Sequence, residues 1–72
     1  MKNAETIIKE HLYKNLKSNY NYTLAELRNR IGFKRMDART KDYFTVSIVR
    51  QMQKDGKLAR VEIADRVFYV KQ

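Results

Sequence analysis

Residues 46–72 read "VSIVRQMQKDGKLARVEIADRVFYVKQ", and the spacing of their apolar positions changes once. Up to Lys54, Phe44, Ile48 and Met52 follow one another at four-residue steps, with Val49 alongside. That is the spacing of one face of a helix. Beyond Asp55-Gly56 the period falls to two: Ala59, Val61 and Ile63 alternate with Arg60 and Glu62, and in "RVFYV" every residue after Arg66 is apolar. Gly56 suits the left-handed position that ends a helix. Ala64-Asp65 then carries the turn of a hairpin, although neither is the glycine or asparagine that tight hairpins prefer. A turn one or two residues longer also fits the spacing. A lone hairpin is marginal in water and must pack on something. The side carrying Val61, Ile63 and Phe68 is expected to pack on the helices.

Upstream, "YTLAELRNRIGF" specifies a short helix at both ends. Thr23 is the N-cap and Glu26, three residues on, completes a capping box. Tyr22 before the cap and Leu27 at the fourth helical position form a hydrophobic staple. Leu24, Leu27 and Ile31 face inward, Gly32 closes the helix, and Phe33 folds back onto its last turn. A first helix runs from about Ala4 to Leu16, capped by Asn3, with Ala4, Ile7, Ile8, Leu12 and Leu16 as its apolar stripe. His11 lies beside that stripe and reads as a core-edge or interface residue. "SNYNY" is a turn-rich break between these two helices. The third helix starts between Asp37 and Thr40, either of which can cap it, and ends near Lys54.

The totals narrow the chemistry. With 72 residues there is one domain, 1–72, near the lower size limit for a single core. No cysteine is present, and there is one histidine. This excludes disulfides, thiolate metal sites and a cysteine nucleophile. No apolar run approaches the roughly 18 residues of a membrane span, and "MKNAETIIKEHL" lacks the features of a secretory signal. A cytoplasmic location is expected, with no membrane partner. There is no glycine-rich phosphate loop, no Ser-His-Asp spacing and no carboxylate cluster, so an enzyme is not expected and no cofactor or metal is called for.

Charge is the strongest compositional signal: 16 Lys+Arg against 8 Asp+Glu give +8. Residues 28–60 hold ten of the cations against Asp37, Asp42 and Asp55, a net +7, whereas 1–27 carry +1 and 61–72 balance. A surplus concentrated in mid-chain is the footprint of a polyanion binder.

In this order (helix, short capped helix, longer helix, hairpin) the chain resembles the winged helix-turn-helix domains over nearly its whole length. "TLAELRNRIGF" is similar to the second helix of that family, "VSIVRQMQKDGKLARV" to the third helix entering the first wing strand, and "DRVFYV" to the returning strand, with Asp65 and Arg66 at the wing tip. The resemblance implies an α+β fold of three helices and a two-stranded antiparallel wing that contacts duplex DNA. One departure is visible. Gly32 and Gly56 are 24 residues apart, longer than in compact family members by roughly one and a half helical turns. The excess falls either in a basic loop over 33–40 or in a longer third helix.

Taking Ile48 as the inward direction at about 100° per residue, Tyr43, Val46, Arg50, Gln53 and Lys54 point outward, with Ser47 beside them. Arg50 and Gln53 are expected at base edges. Val46 reads as a thymine-methyl contact, a dimer contact or a stray surface valine. Lys34, Arg35, Arg39 and Lys41, in or before the first turn of the helix, are expected on phosphates. Arg60 and Arg66 on the wing would meet backbone or minor groove; alternatively Arg60 pairs with Glu62, and Arg66 with Asp65, as exposed ion pairs. Arg28 and Arg30 look peripheral. The favoured partner is duplex DNA, bound by a transcriptional regulator or excision-type factor, with a homodimer on a palindrome as the natural arrangement. Two other readings stay open. One is single-stranded nucleic acid stacked on Tyr20, Tyr22, Tyr43 and Tyr69; the other is a protein-interaction module.

Overall fold

Each helix begins on a side chain that accepts one of its unpaired first-turn N–H groups. The computed structural model describes residues 3–32 and 37–72. Asn3 Oδ1 accepts from the Thr6 N–H at 2.8 Å, opening α1 (Ala4–Asn15). Thr23 Oγ1 accepts from the Glu26 N–H, and Glu26 Oε1 from the Thr23 N–H, both at 3.2 Å, opening α2 (Leu24–Ile31) with a complete capping box. Of the two candidate caps for α3 (Ala38–Lys54), Asp37 takes the position, accepting from the Thr40 N–H at 2.8 Å. Gly32 and Gly56 close α2 and α3 at φ 73° and 75°. After α3, the Lys57 N–H donates to Met52 O at 2.8 Å and the Gly56 N–H to Gln53 O at 3.1 Å. These two bonds make a Schellman motif, which turns the chain directly into the sheet.

Strands β1 (Leu58–Ile63) and β2 (Arg66–Lys71) pair antiparallel, from Leu58 opposite Lys71 to Ile63 opposite Arg66. The result is α+β: three helices followed by a two-stranded hairpin, the layout of a winged helix-turn-helix. With α3 at 17 residues, part of the long Gly32–Gly56 interval is helix. The expected packing of Phe33 lies outside the described residues.

The core is Leu12, Leu16, Tyr22, Leu27, Ile48, Val49, Met52 and Leu58, with Ile8, Tyr13, Leu24, Ile31, Phe44 and Tyr69 packed against it. Tyr22 and Leu27, the expected staple, are both fully buried. Tyr22 does more than staple. Its N–H donates to Tyr69 O at 2.8 Å and its carbonyl accepts from the Tyr69 N–H at 2.7 Å, forming a short third rung on the far side of β2. Its hydroxyl accepts from the Lys17 N–H at 2.7 Å, just past the end of α1. Tyr13, half-buried, donates its hydroxyl to the Gln72 carbonyl and lies under the ammonium groups of Lys57 and Lys71, at 5.0 and 4.5 Å from the ring centre.

Two expectations are corrected. Ile7 is 55% exposed, because Ile8, Leu12 and Leu16 define the inward line of α1 and Ile7 sits about 140° from its centre; Ala4, also expected on the stripe, is exposed, as is His11, beside Asn15. The hairpin also presents the opposite side to the helices. Directly opposed residues of an antiparallel pair share a face, and Leu58 is buried while Tyr69, opposite Arg60, packs on the core. The inward face therefore holds Leu58, Arg60 and Glu62 with Val67, Tyr69 and Lys71. Val61, Ile63 and Phe68, with Ala59 and Val70, lie on the outer face, where Ile63 is 46% exposed.

The hairpin turn is the tight one: Ala64 and Asp65 have φ of 51° and 65°, both in the left-handed region. A two-residue turn of this kind matches strand twist but strains side chains with a Cβ. Replacing Ala64-Asp65 with Asn-Gly should stabilise the domain by about 1 kcal/mol, raising the melting temperature by roughly 4–8 °C. An unchanged melting temperature contradicts the turn geometry. Tyr22→Phe should cost about 1–2 kcal/mol in denaturant titrations, because the Lys17 N–H loses its acceptor. Tyr22→Ala should cost about 3–5 kcal/mol, comparable with the whole stability of a small domain.

Candidate functional site

Because α3 buries Thr45, Ile48, Val49 and Met52, its opposite side faces solvent. Thr45 has no solvent exposure, and its hydroxyl donates to Lys41 O at 2.7 Å, so it adds no orphan polar group to the core. Along the solvent side, Arg39, Tyr43, Val46, Ser47 and Arg50 fall at three- and four-residue steps and line one shallow groove together with Asp42 and Gln51. Tyr43 stands out from it, 83% exposed. Of the outward stripe expected from the roughly 100° rule, Tyr43, Val46, Ser47 and Arg50 are assembled here, joined by Arg39 from the first turn; Gln53 and Lys54 are not part of the groove.

The cations divide into two groups by what they touch. Arg28 reaches from α2 to Asp42 on α3 at 2.7 Å, and Arg30 lies over the Tyr22 ring at 5.2 Å. Lys9 Nζ donates to Gln51 Oε1 at 2.9 Å and lies 3.9 Å from Asp55. Lys71 Nζ donates to Leu16 O at 3.2 Å, and Lys57 covers Tyr13. These side chains tie elements together. In contrast, the side chains of Lys14, Lys17, Arg39, Lys41, Arg50, Lys54 and Arg66 make no hydrogen bond or ion pair among the described residues. Four of these seven are on α3, Arg66 opens β2 beside the turn, and Lys14 and Lys17 lie at and just past the end of α1.

The remaining expected residues are placed as follows. Lys34 and Arg35 lie outside the described residues. Lys41 is half-buried and lines a separate groove with Arg28, Asn29, Gly32 and Ala38 between α2 and α3. Two residues carry it about 200° around the helix from Arg39, so it does not join the outward stripe. Ser47 Oγ accepts from Gln51 Nε2 at 3.3 Å. Gln53 is half-buried and Lys54 exposed, both beyond the groove toward the C-terminal end of α3. Arg60 pairs with Glu62 at 2.7 Å, both more than 40% exposed, and such an exposed pair contributes little to stability. Of the four tyrosines considered for stacking, Tyr22 is buried and Tyr69 packs on the core. Tyr20, 45% exposed, bonds Glu26 at 3.1 Å and stacks obliquely on Tyr22. Tyr43 alone of the four is on the basic stripe.

Two groove residues, Asp42 and Gln51, were not singled out from sequence as site residues. The i,i+4 spacing of Ser47 and Gln51 was the available signal for the second. Asp42 keeps one carboxylate in the groove, but Arg28 holds it.

Titration shifts sit at the helix starts. The Thr40 N–H holds the Asp37 carboxyl below its ordinary range, and the Thr23 N–H does the same for Glu26. The Glu26 carboxylate raises the Tyr20 hydroxyl in turn. With the folded carboxyls lowered, both caps contribute fully above the ordinary carboxylate range and are lost as pH falls through the folded values. At neutral pH, therefore, α3 starts on an ionised cap, Asp37, and the capping box of α2 is closed by an ionised Glu26.

No helix among the described residues is long and apolar enough to cross a membrane. Comparison with protein-family models, with curated proteins and with solved structures finds no match.

Proposed function

We propose that this chain is a non-enzymatic duplex-DNA-binding protein of the winged helix-turn-helix type, acting as a transcriptional regulator or excision-type factor. The observation that carries the reading is the division of cations. Those that build the fold are engaged, while Arg39, Arg50 and Lys54 stand without partners on the exposed side of α3 and Arg66 at the hairpin tip; the other free cations on exposed positions, Lys14 and Lys17, are at the end of α1 and form no stripe. Unpaired cations on one helix face, interleaved with Tyr43, Ser47 and Gln51, fit a phosphate-lined groove whose base edges offer hydrogen-bond partners.

Roles follow from position. Arg39, one residue into α3, adds its charge to the first-turn N–H groups and binds phosphate; Lys34 and Arg35 act with it from the preceding segment. Arg50, deep along the stripe, reads base edges with Ser47 and Gln51 nearby, and Val46 offers a methyl surface to thymine. Arg66 contacts backbone or minor groove from the hairpin. Single-strand binding is the weaker reading, because three of the four tyrosines it needs are buried, packed on the core or bonded to Glu26.

The test is fluorescence anisotropy with random duplex and random single-stranded oligonucleotides, each at two salt concentrations. The duplex should bind more tightly and lose affinity steeply with salt. Arg35→Ala/Arg39→Ala should weaken binding to all sequences alike and flatten the log–log salt slope by roughly 2. Arg50→Ala should instead change the preference among sequences. An untouched slope in the double variant overturns the phosphate assignment. Tighter binding to single strands overturns the duplex reading.

A further inference from the structure

Strand β1 is the open edge of the sheet. Its ladder with β2 runs without a bulge from Leu58–Lys71 to Ile63–Arg66. On its far side β2 takes Tyr22 through Tyr69, and Ser18 bridges Lys71. Among the described residues no strand pairs with the other side of β1. Edge strands are ordinarily protected by proline, lysine, a bulge, covering structure or inward-pointing charges. Leu58–Ile63, "LARVEI", contains neither proline, lysine nor a bulge, and its two inward charges, Arg60 and Glu62, are of opposite sign, so they oppose pairing only in registers that set like against like.

The ladder determines which backbone groups of β1 point outward. Hydrogen-bonded and non-hydrogen-bonded pairs alternate along an antiparallel ladder. Both backbone groups of Tyr69 are taken by Tyr22, so its opposite number, Arg60, is at a non-hydrogen-bonded position. The bond from the Gln72 N–H to Lys57 O at 3.0 Å, three residues before Arg60, keeps the same phase. Leu58, Arg60 and Glu62 therefore turn their N–H and C=O groups to the open edge, whereas Ala59, Val61 and Ile63 spend theirs on β2.

We infer that this edge pairs with the same edge of a second copy, antiparallel about a two-fold axis through Val61. Outward-facing groups must meet outward-facing groups, so the axis passes through a residue, and the central choices are Ala59, Arg60, Val61 and Glu62. An axis through Ala59 sets Leu58 opposite Arg60 and leaves Glu62 without an opposite charge. An axis through Arg60 sets arginine against arginine, and one through Glu62 sets glutamate against glutamate. The axis through Val61 sets Arg60 of each copy opposite Glu62 of the other, twice by symmetry, and uses the outward backbone groups of both residues. Opposite charges placed across strands stabilise and like charges destabilise, so the strand's own charge order selects the register. At the axis the two Val61 side chains fall at the closer, non-hydrogen-bonded spacing. Ala59 then meets Ile63, and the apolar outer face of one hairpin continues into the other. Arg60 and Glu62 form an exposed pair within one chain, 2.7 Å apart; exchanging it for two pairs across the seam sacrifices little. The seam is isologous, so it closes as a dimer instead of growing as a fibre. It is independent of whether the chain binds DNA.

Sedimentation velocity over a concentration series at low salt tests this, with circular dichroism confirming that each variant keeps its fold. The wild-type chain should associate to a dimer. Arg60→Glu and Glu62→Arg should each weaken self-association at least roughly tenfold, since each places like charges across the seam. An equimolar mixture of the two variants should restore a heterodimer, and the double exchange R60E/E62R should restore a homodimer. A wild-type chain that stays monomeric throughout overturns the inference. So does a dimer indifferent to both single substitutions, or a mixture of the two variants that fails to associate.

Discussion

The structure depends on one buried tyrosine. Tyr22 sits between α1 and α2 in sequence, yet it ties the end of α1, α2 and β2 together. Its hydroxyl holds the chain just past α1, its ring is covered by Arg30 and Tyr20, and its backbone exchanges two hydrogen bonds with Tyr69 of β2. With Leu27 it seals the start of α2 against the core formed by Leu12, Leu16, Ile48 and Met52. A two-stranded hairpin is marginal by itself; the Tyr22 rung and the burial of Leu58 are what dock it. Because β2 is thereby held from the far side, β1 is left as the free edge. One residue thus sets the order of the sheet and which of its edges remains open.

The arrangement of charge follows from the same packing. Residues that hold elements together take cations out of circulation: Arg28 between α2 and α3, Lys9 between α1 and the end of α3, Lys71 at the end of α1. What remains is most concentrated on α3, where Arg39, Arg50 and Lys54 face away from Ile48, with Arg66 at the start of β2 and Lys14 and Lys17 at the end of α1. In a chain of +8, that residue of unpaired charge is directional, and direction is what a polyanion partner reads.

How much was legible beforehand depended on the range of the interactions involved. The three caps and both glycine stops are local, set by side chains within three or four residues, and they lie where Asn3, Thr23, Asp37, Gly32 and Gly56 place them. Most of the outward stripe of α3 was readable too, because Phe44, Ile48 and Met52 define the inward side by spacing alone; Gln53, expected at base edges with Arg50, is instead half-buried beyond the groove. The facing of the hairpin was not. Both of its sides carry apolar residues, so the period of two identifies strands without choosing a face; Leu58, the first residue after the Schellman turn, made the choice by its burial. The Tyr22–Tyr69 rung joins positions 47 apart in the chain and leaves no local pattern. Lys41 departed from the phosphate group because its turn of α3 faces α2, a consequence of packing between two helices that neither announces by itself.

The most direct test of the account is a two-dimensional ¹⁵N–¹H titration of the labelled chain with a random-sequence duplex at low salt. The account predicts that shifts concentrate at Arg39, Tyr43, Ser47 and Arg50 and at the hairpin tip around Asp65 and Arg66, while the amides of Glu5 to Lys14 in α1 stay in place. Shifts centred on α1, or none at either the α3 stripe or the tip, contradict it.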